Sequence, residues 1–407
     1  MPSTFTWLDY SEHERRKMLD VIDLFGEKTT RDELGLGGVR DAFADLLFPG
    51  TSTIQTVAKY FLLIPWVYQS LEQKHTSSAK MPLRARKAEI ELARALEASG
   101  ETDGVIGRIA KEKLQRLPSS VYWQGLNKWG IRVFGGSQGE YHRSVDLFYE
   151  RQRSRRTSRH EHEGETIDEA DLHNWHDGLP KPVEGFPAGI ELKLSCDEAA
   201  YLRERLMTNC SESLMAFLVR EHIAVDSVPL AWDLNAELPD NLRLWVDHGR
   251  NFSEAMHGAQ LLYNLILAEQ REWVVRIDEY RERIDDWCKR VSGRQEVLKA
   301  WNRPQFWRIV CRQNPRVSSR ARTFIRSWID LVIGADDLAE MIKAMPARQL
   351  VEHREVQLKG GLARVRNARA RELWNGAAGA AQFDLRWAST RRIVADIHSG
   401  LGVGAHA

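Results

Sequence analysis

Residues 31–56 read RDELGLGGVRDAFADLLFPGTSTIQT and run on into Lys59-Tyr60 and Ile64-Pro65-Trp66. Gly35, Gly37 and Gly38 break the chain, after which Val39, Phe43, Leu46 and Leu47 fall on one face at helical spacing. Pro49-Gly50 ends that run, and Thr51 and Ser52 are good N-cap residues for a further helix carrying Ile54, Tyr60, Phe61 and Leu62. Pro65 predicts a kink or stop in it, with Trp66-Val67-Tyr68 continuing the apolar surface. The stretch therefore reads as helix, tight turn and helix. Gly35-x-Gly37-Gly38 is a superficial match to a phosphate-cradling loop, because no Walker Lys-Ser/Thr follows and no strand precedes it. A backbone turn needing positive φ is the better reading.

The same periodicity extends in both directions. Ser11 can cap a helix bearing Met18, Val21, Ile22 and Phe25. Downstream come a helix over Arg84–Ala98, the stretch Val105–Leu117, and a helix from Pro118 to Trp129 that Gly130 stops. Ile131–Phe134 is the best short strand, and Ser137 caps a helix through Phe148. Helix, helix, strand and helix in that order are compatible with a helix-turn-helix or winged-helix element. Arg151, Arg153, Arg155, Arg156 and Arg159 then precede an acidic, His-rich run from Glu161 to His176, followed by Pro180, Pro182, Gly185 and Pro187. This composition predicts a mobile linker. Ser195 and Glu198 form a capping box, and long helices follow, the clearest over Leu242–Val291. The expected plan is a mainly α, multi-helical, two-lobed protein: an N-terminal helical domain over 1–150, a linker over 151–189 and a C-terminal helical domain over 190–407.

Composition narrows the function classes. The formal charge of +1 gives no overall field toward nucleic acid or membrane, so any attraction must come from local clusters. The 14 tryptophans are more than surface recognition needs and are expected as core anchors. Cys196, Cys210, Cys288 and Cys311 form no CxxC pair and read as reduced thiols. The N-terminus lacks an apolar signal region, and the longest apolar run, Tyr60–Tyr68, is too short for a bilayer. A cytoplasmic protein without membrane contact is expected.

Catalytic grammar is sparse. Glu191-Leu-Lys193 has the E-x-K form of a metal-dependent nuclease, but its upstream neighbours are Pro/Gly-rich rather than acidic. His160, Glu161, His162, His173 and His176 could ligate zinc, but lie in the linker-like segment. Cys196 and Cys210 have no histidine nearby in sequence, and no nucleophile elbow occurs. No catalytic residue, metal or cofactor is assigned. The stronger signal is Arg303, Arg308, Arg312, Arg316, Arg320, Arg322 and Arg326, interleaved with Trp301, Phe306, Trp307, Phe324 and Trp328. Arginine pairs phosphates and aromatics stack bases, so Arg308, Arg312, Arg316, Arg320, Arg322 and Arg326 are the candidate nucleic-acid contacts. The competing reading places the aromatics in the core and pairs the arginines with acids. Lys359, Arg364, Arg366, Arg369 and Arg371 could extend the surface.

Three blocks carry a family resemblance: residues 31–66; Leu117–Trp123 with Trp129-Gly-Ile131, Ser137 and Tyr141-His142; and Leu373–Gly376, Arg386-Trp387 and Ile393–Leu401. Together they resemble an uncharacterised bacterial family of about this chain's length, known only as a domain of unknown function. The resemblance implies an association with anti-phage defence or mobile gene neighbourhoods, including helicases and phospholipase-D-like nucleases, and supplies no catalytic residues. It also implies basic residues on both sides of the alanine after Gln55-Thr56. Here only Lys59 is basic, which makes it a further candidate phosphate contact. The expected function is a non-catalytic defence or DNA-processing component that binds DNA, RNA or a helicase or nuclease partner. An adaptor without nucleic-acid contact and a metal-dependent nuclease are the alternatives.

Overall fold

The computed structural model describes residues 32–161 and 173–402, with residues 155–161 as backbone alone. Among the described residues the chain forms helices and no strand, so the mainly α, multi-helical expectation holds. The first five are α1 (Gly37–Leu47), α2 (Tyr60–Gln73), α3 (Met81–Ala98), α4 (Pro118–Lys128) and α5 (Gln138–Glu161). Next come α6 (Cys196–Cys210), α7 (Leu214–Arg220), α8 (Asp240–Gln270), α9 (Val274–Ser292) and α10 (Gln295–Lys299). The last six are α11 (Arg303–Gln313), α12 (Ser319–Gly334), α13 (Leu338–Lys343), α14 (Met345–Lys359), α15 (Ala368–Glu372) and α16 (Trp387–Gly400). None is long and apolar enough to cross a membrane.

The described residues group into two compact units, neither of them a single run of sequence. One holds residues 32–42 with His248–Phe383, and the other holds Phe43–Asp247 with residues 384–402. Each division falls inside a helix or beside one, at α1, at α8 and just before α16.

In the 43–247 unit α2 is the central helix. Every residue from Tyr60 to Tyr68 is buried, the pattern of a helix apolar all round, and α3 and α4 pack against it. Pro65 sits inside α2 without stopping it. Proline costs a helix interior about 3 kcal/mol, which burial of the large neighbours Phe61, Ile64 and Trp66 can offset. Thr51 and Ser52 do not cap this helix. The Thr51 hydroxyl donates to the Phe48 carbonyl (2.7 Å), and Gln55 braces the turn by donating to Gly50 O (3.0 Å) and accepting from the Ser52 N–H (3.2 Å). The chain stays in turns until Tyr60 as the Tyr122 hydroxyl takes the N–H groups of Thr56 (2.8 Å) and Val57 (3.2 Å).

Ile131–Phe134 forms no strand. It makes one isolated bridge, Arg132 to Trp175, so no wing forms among the described residues. Among the described residues, the irregular run around Trp175 offers backbone partners at only Asn174 and His176, too few to extend a ladder. The basic run from Arg151 continues α5 to Glu161, and beyond residue 172 Trp175, Leu179 and Ile190 are buried. Residues 162–172, Arg31 and the helix expected after Ser11 lie outside the described residues. The capping box at Ser195 and Glu198 forms as expected and opens α6. The run expected over Leu242–Val291 is two helices, α8 and α9, parted at residues 271–273.

Glu89 shows how tightly α3 and α4 are joined. Its carboxylate is fully buried and accepts the N–H (2.8 Å) and hydroxyl (2.6 Å) of Ser119. Burial pushes its pKa from the ordinary 4.5 up to about 7, against the opposing pull of Ser119 and Arg86. Because the folded value is raised, the folded state holds a proton that the unfolded chain has released between those two pH values. Stability from this group therefore falls as pH rises through that window. Glu89→Gln should remove about 2 kcal/mol of this decline, read from urea denaturation at about pH 5 and about pH 8. An unchanged pH dependence would refute the assignment.

In the unit that contains His248–Phe383, tryptophans anchor the α8 core. Trp287, Trp301, Trp328 and Trp374 donate their indole N–H groups to Glu254 O (2.7 Å), His248 Nδ1 (2.7 Å), Ala255 O (2.8 Å) and Asn264 Oδ1 (3.2 Å). The large apolar payload of each ring is thus buried with its one donor satisfied.

Candidate nucleic-acid interface

Helices α11 and α12 are joined by residues 314–318, with Asn302 capping the first and Ser318 the second. Trp301, Phe306, Trp307, Phe324 and Trp328 are all buried. Phe306 packs on Trp301 (centroids 4.8 Å apart) and on Phe252 (5.9 Å). These rings build the core and are closed to an external base, which corrects the expectation of an aromatic stacking surface.

The arginines divide. Arg303 pairs with Asp330, Arg326 lies over the Trp307 ring (5.3 Å), and half-buried Arg322 points a guanidinium nitrogen at Cys311 Sγ (3.7 Å). Arg308 and Arg312 lie one turn apart on α11, Arg316 occupies the turn and Arg320 opens α12. All four are exposed and have no acidic partner among the described residues. The first turn of α12 holds no acidic residue either, so the helix dipole adds to the positive potential there. Arg320 is also close enough to Arg354 to disfavour its charge, although burial is the larger influence.

Lys59 lies in the other unit and is used internally. Its ammonium is 2.5 Å from Glu198 Oε2 and 3.1 Å from the Lys193 carbonyl, and the residue is only 4% exposed. It pairs with the same carboxylate that completes the α6 capping box, so it cannot reach an external phosphate. Glu191 and Lys193 are exposed. No group of three or more His, Cys, Asp or Glu could hold a metal among the described residues. The side chains of His160, Glu161 and His162 lie outside that description.

A buried charge cluster in the α8 core is the feature that sequence reasoning missed. Glu355 is 0% exposed and accepts from the Tyr263 hydroxyl (2.6 Å), Lys359 Nζ (2.8 Å) and the backbone N–H groups of Arg364 (3.1 Å) and Val365 (3.0 Å). Lys359 and Arg364 also pair with buried Glu33, the latter at 2.9 Å. Two residues of the third basic stretch, half-buried Lys359 and buried Arg364, are therefore held in ion pairs with buried carboxylates, while Arg366 and Arg369 remain exposed. The cluster explains the opening sequence. Asp32 accepts the N–H groups of Leu36 (2.6 Å) and Gly37 (2.7 Å) at the start of α1, and the Leu34 carbonyl accepts from Arg354 Nε (2.8 Å). Gly35 has φ +67°, and the Arg354 guanidinium fills the space a Cβ would need. Only the Glu355/Lys359 spacing was visible in advance, because Glu33 is more than 300 residues away in sequence.

Fold and site together define an all-α protein with a cationic helix–turn–helix junction and an internal ion-pair cluster. The chain belongs to the family of unknown function DUF6361, which matches residues 2–400. No match was found among curated proteins or solved structures.

Proposed function

We propose that the chain is a non-catalytic component of a bacterial defence or DNA-processing system that binds nucleic-acid phosphates through Arg308, Arg312, Arg316 and Arg320. The carrying observation is the four exposed arginines without acidic partners around one helix junction. Because the neighbouring aromatics are buried, recognition rests on backbone charge and is indifferent to base sequence. If all four contact duplex DNA, log affinity should fall with log salt at a slope of about −3.6, from roughly 0.9 per phosphate. Changing the four to glutamate should abolish DNA and RNA binding in fluorescence anisotropy. Undiminished binding by that variant would remove the surface from consideration.

A protein partner is the second reading. Val274, Val275 and Leu373 are exposed beside the contact between Trp273 and Trp374 (5.9 Å), an apolar surface that a helicase or nuclease subunit could cover.

A further inference from the structure

A cleft of about 610 Å³ opens in the 43–247 unit, bounded by the end of α2, one face of α3 and Phe186-Pro187. Its charged lining is lopsided. Lys74, Lys80, Arg84 and Lys87 face one carboxylate, Glu91, a net +3 from four cations against one acid. The whole chain carries only +1, so this cleft concentrates positive charge that the rest of the molecule balances.

The cations are not spent internally. Lys74, Lys80 and Arg84 have no acidic partner among the described residues, and Lys87 stands 3.9 Å from Glu91 in an exposed pair of little energetic weight. Thr76 and Ser77 also line the cleft, from the turn that leaves α2. That turn passes through His75 at φ +47°, a left-handed conformation uncommon outside glycine. Phe186, also in the lining, is held edge-on against buried Trp66, with ring centroids 5.7 Å apart, and Val67 and Leu71 supply further apolar lining.

We infer that this cleft binds a phosphorylated small molecule, with the phosphate at Lys74, Lys80 and Arg84 and the organic body against Phe186. Several separate donors suit a multiply charged phosphate or pyrophosphate better than a carboxylate, which one arginine satisfies. The volume falls within the roughly 300–1,000 Å³ of small-molecule sites and accommodates a nucleotide-sized ligand. This site is separate from the arginines of α11 and α12 and stands without them.

The full chain titrated calorimetrically with inorganic pyrophosphate, adenosine 5′-diphosphate and a 5′-phosphorylated dinucleotide tests the assignment. Saturable binding at one site per chain is expected, weakened by about tenfold or more when Lys74, Lys80 and Arg84 become glutamate. The milder pair Lys80→Ala and Arg84→Ala should show the same direction, with circular dichroism confirming the fold. Changing Arg308, Arg312, Arg316 and Arg320 should leave this binding unaltered. Preference for the diphosphate supports a free phosphorylated metabolite as the ligand, and preference for the dinucleotide overturns it in favour of a polynucleotide end. No saturable binding of any probe, or equal affinity in the glutamate variant, overturns the inference.

Discussion

Replacing Glu355 with alanine should destabilise the chain by roughly 3–5 kcal/mol in chemical denaturation, because it breaks a buried ion-pair cluster from its centre. Three donors lose their acceptor at once, the Tyr263 hydroxyl and two backbone N–H groups, and the Lys359 ammonium loses one of its two carboxylates. Glu33 still faces Lys359 and Arg364, so the two cations would share one carboxylate instead of two. Glu355→Gln keeps an acceptor but removes the charge, and should fall between wild type and alanine. The pH dependence offers a second check. Burial pushes the Glu355 carboxyl up, but Lys359, Tyr263 and the Val365 N–H outweigh it and hold the pKa below its ordinary 4.5. A depressed folded value means stability that is present above the ordinary carboxylate range and lost on acidification. The variant should therefore lose less stability than wild type as pH falls. A cost below about 1 kcal/mol would show the cluster to be solvated rather than buried.

Trp129→Ala should cost a similar 3–5 kcal/mol for a different reason, the cavity left by a large buried ring. Trp129 is 0% exposed and lies face to face with Phe61, ring centroids 3.8 Å apart and planes 5° from parallel. Its indole N–H donates to the Pro49 carbonyl (2.9 Å). Gly50, at φ +80°, lets that turn approach so closely that a Cβ there would sit 2.7 Å from the indole nitrogen. Trp129→Phe retains an aromatic face but leaves the Pro49 carbonyl unpaired, for about 1–3 kcal/mol. Thermal unfolding should rank wild type above phenylalanine above alanine, and equal midpoints would remove Trp129 as the anchor of this turn. Pro49-Gly50 and Trp129 lie in separate blocks of the family resemblance, so this contact gives a physical reason for their occurring together.

Several elements were legible because their causes are local. The capping box at Ser195 and Glu198 forms as read, and Val39, Phe43 and Leu47 are buried on α1 at the spacing that identified it. Misreadings occurred where a distant partner outweighed a local preference. Thr51 bonds backward rather than capping forward, Pro65 is tolerated inside a buried helix, and Ile131–Phe134 finds one bridge where a strand needs a ladder. The candidate site was half legible for the same reason. Alternating arginine and aromatic residues along α11 and α12 are visible in the sequence, but only packing reveals that the rings turn inward.

The sequence by itself determined that this chain is helical, where many of its helices begin and stop, and that Gly35 makes a turn, whereas Gly37 and Gly38, read as chain breaks, are the first residues of α1. These follow from dihedral preference, capping and the 3.6-residue period, which act within a few positions. The tertiary structure alone decided which charges are available. Lys59, Glu33, Glu355 and Arg364 are buried against partners 4 to 331 residues away, while Arg308, Arg312, Arg316 and Arg320 are exposed without acidic partners. A charge is neutralised by what lies within a few ångströms in space, and that distance is set by the fold rather than by position along the chain.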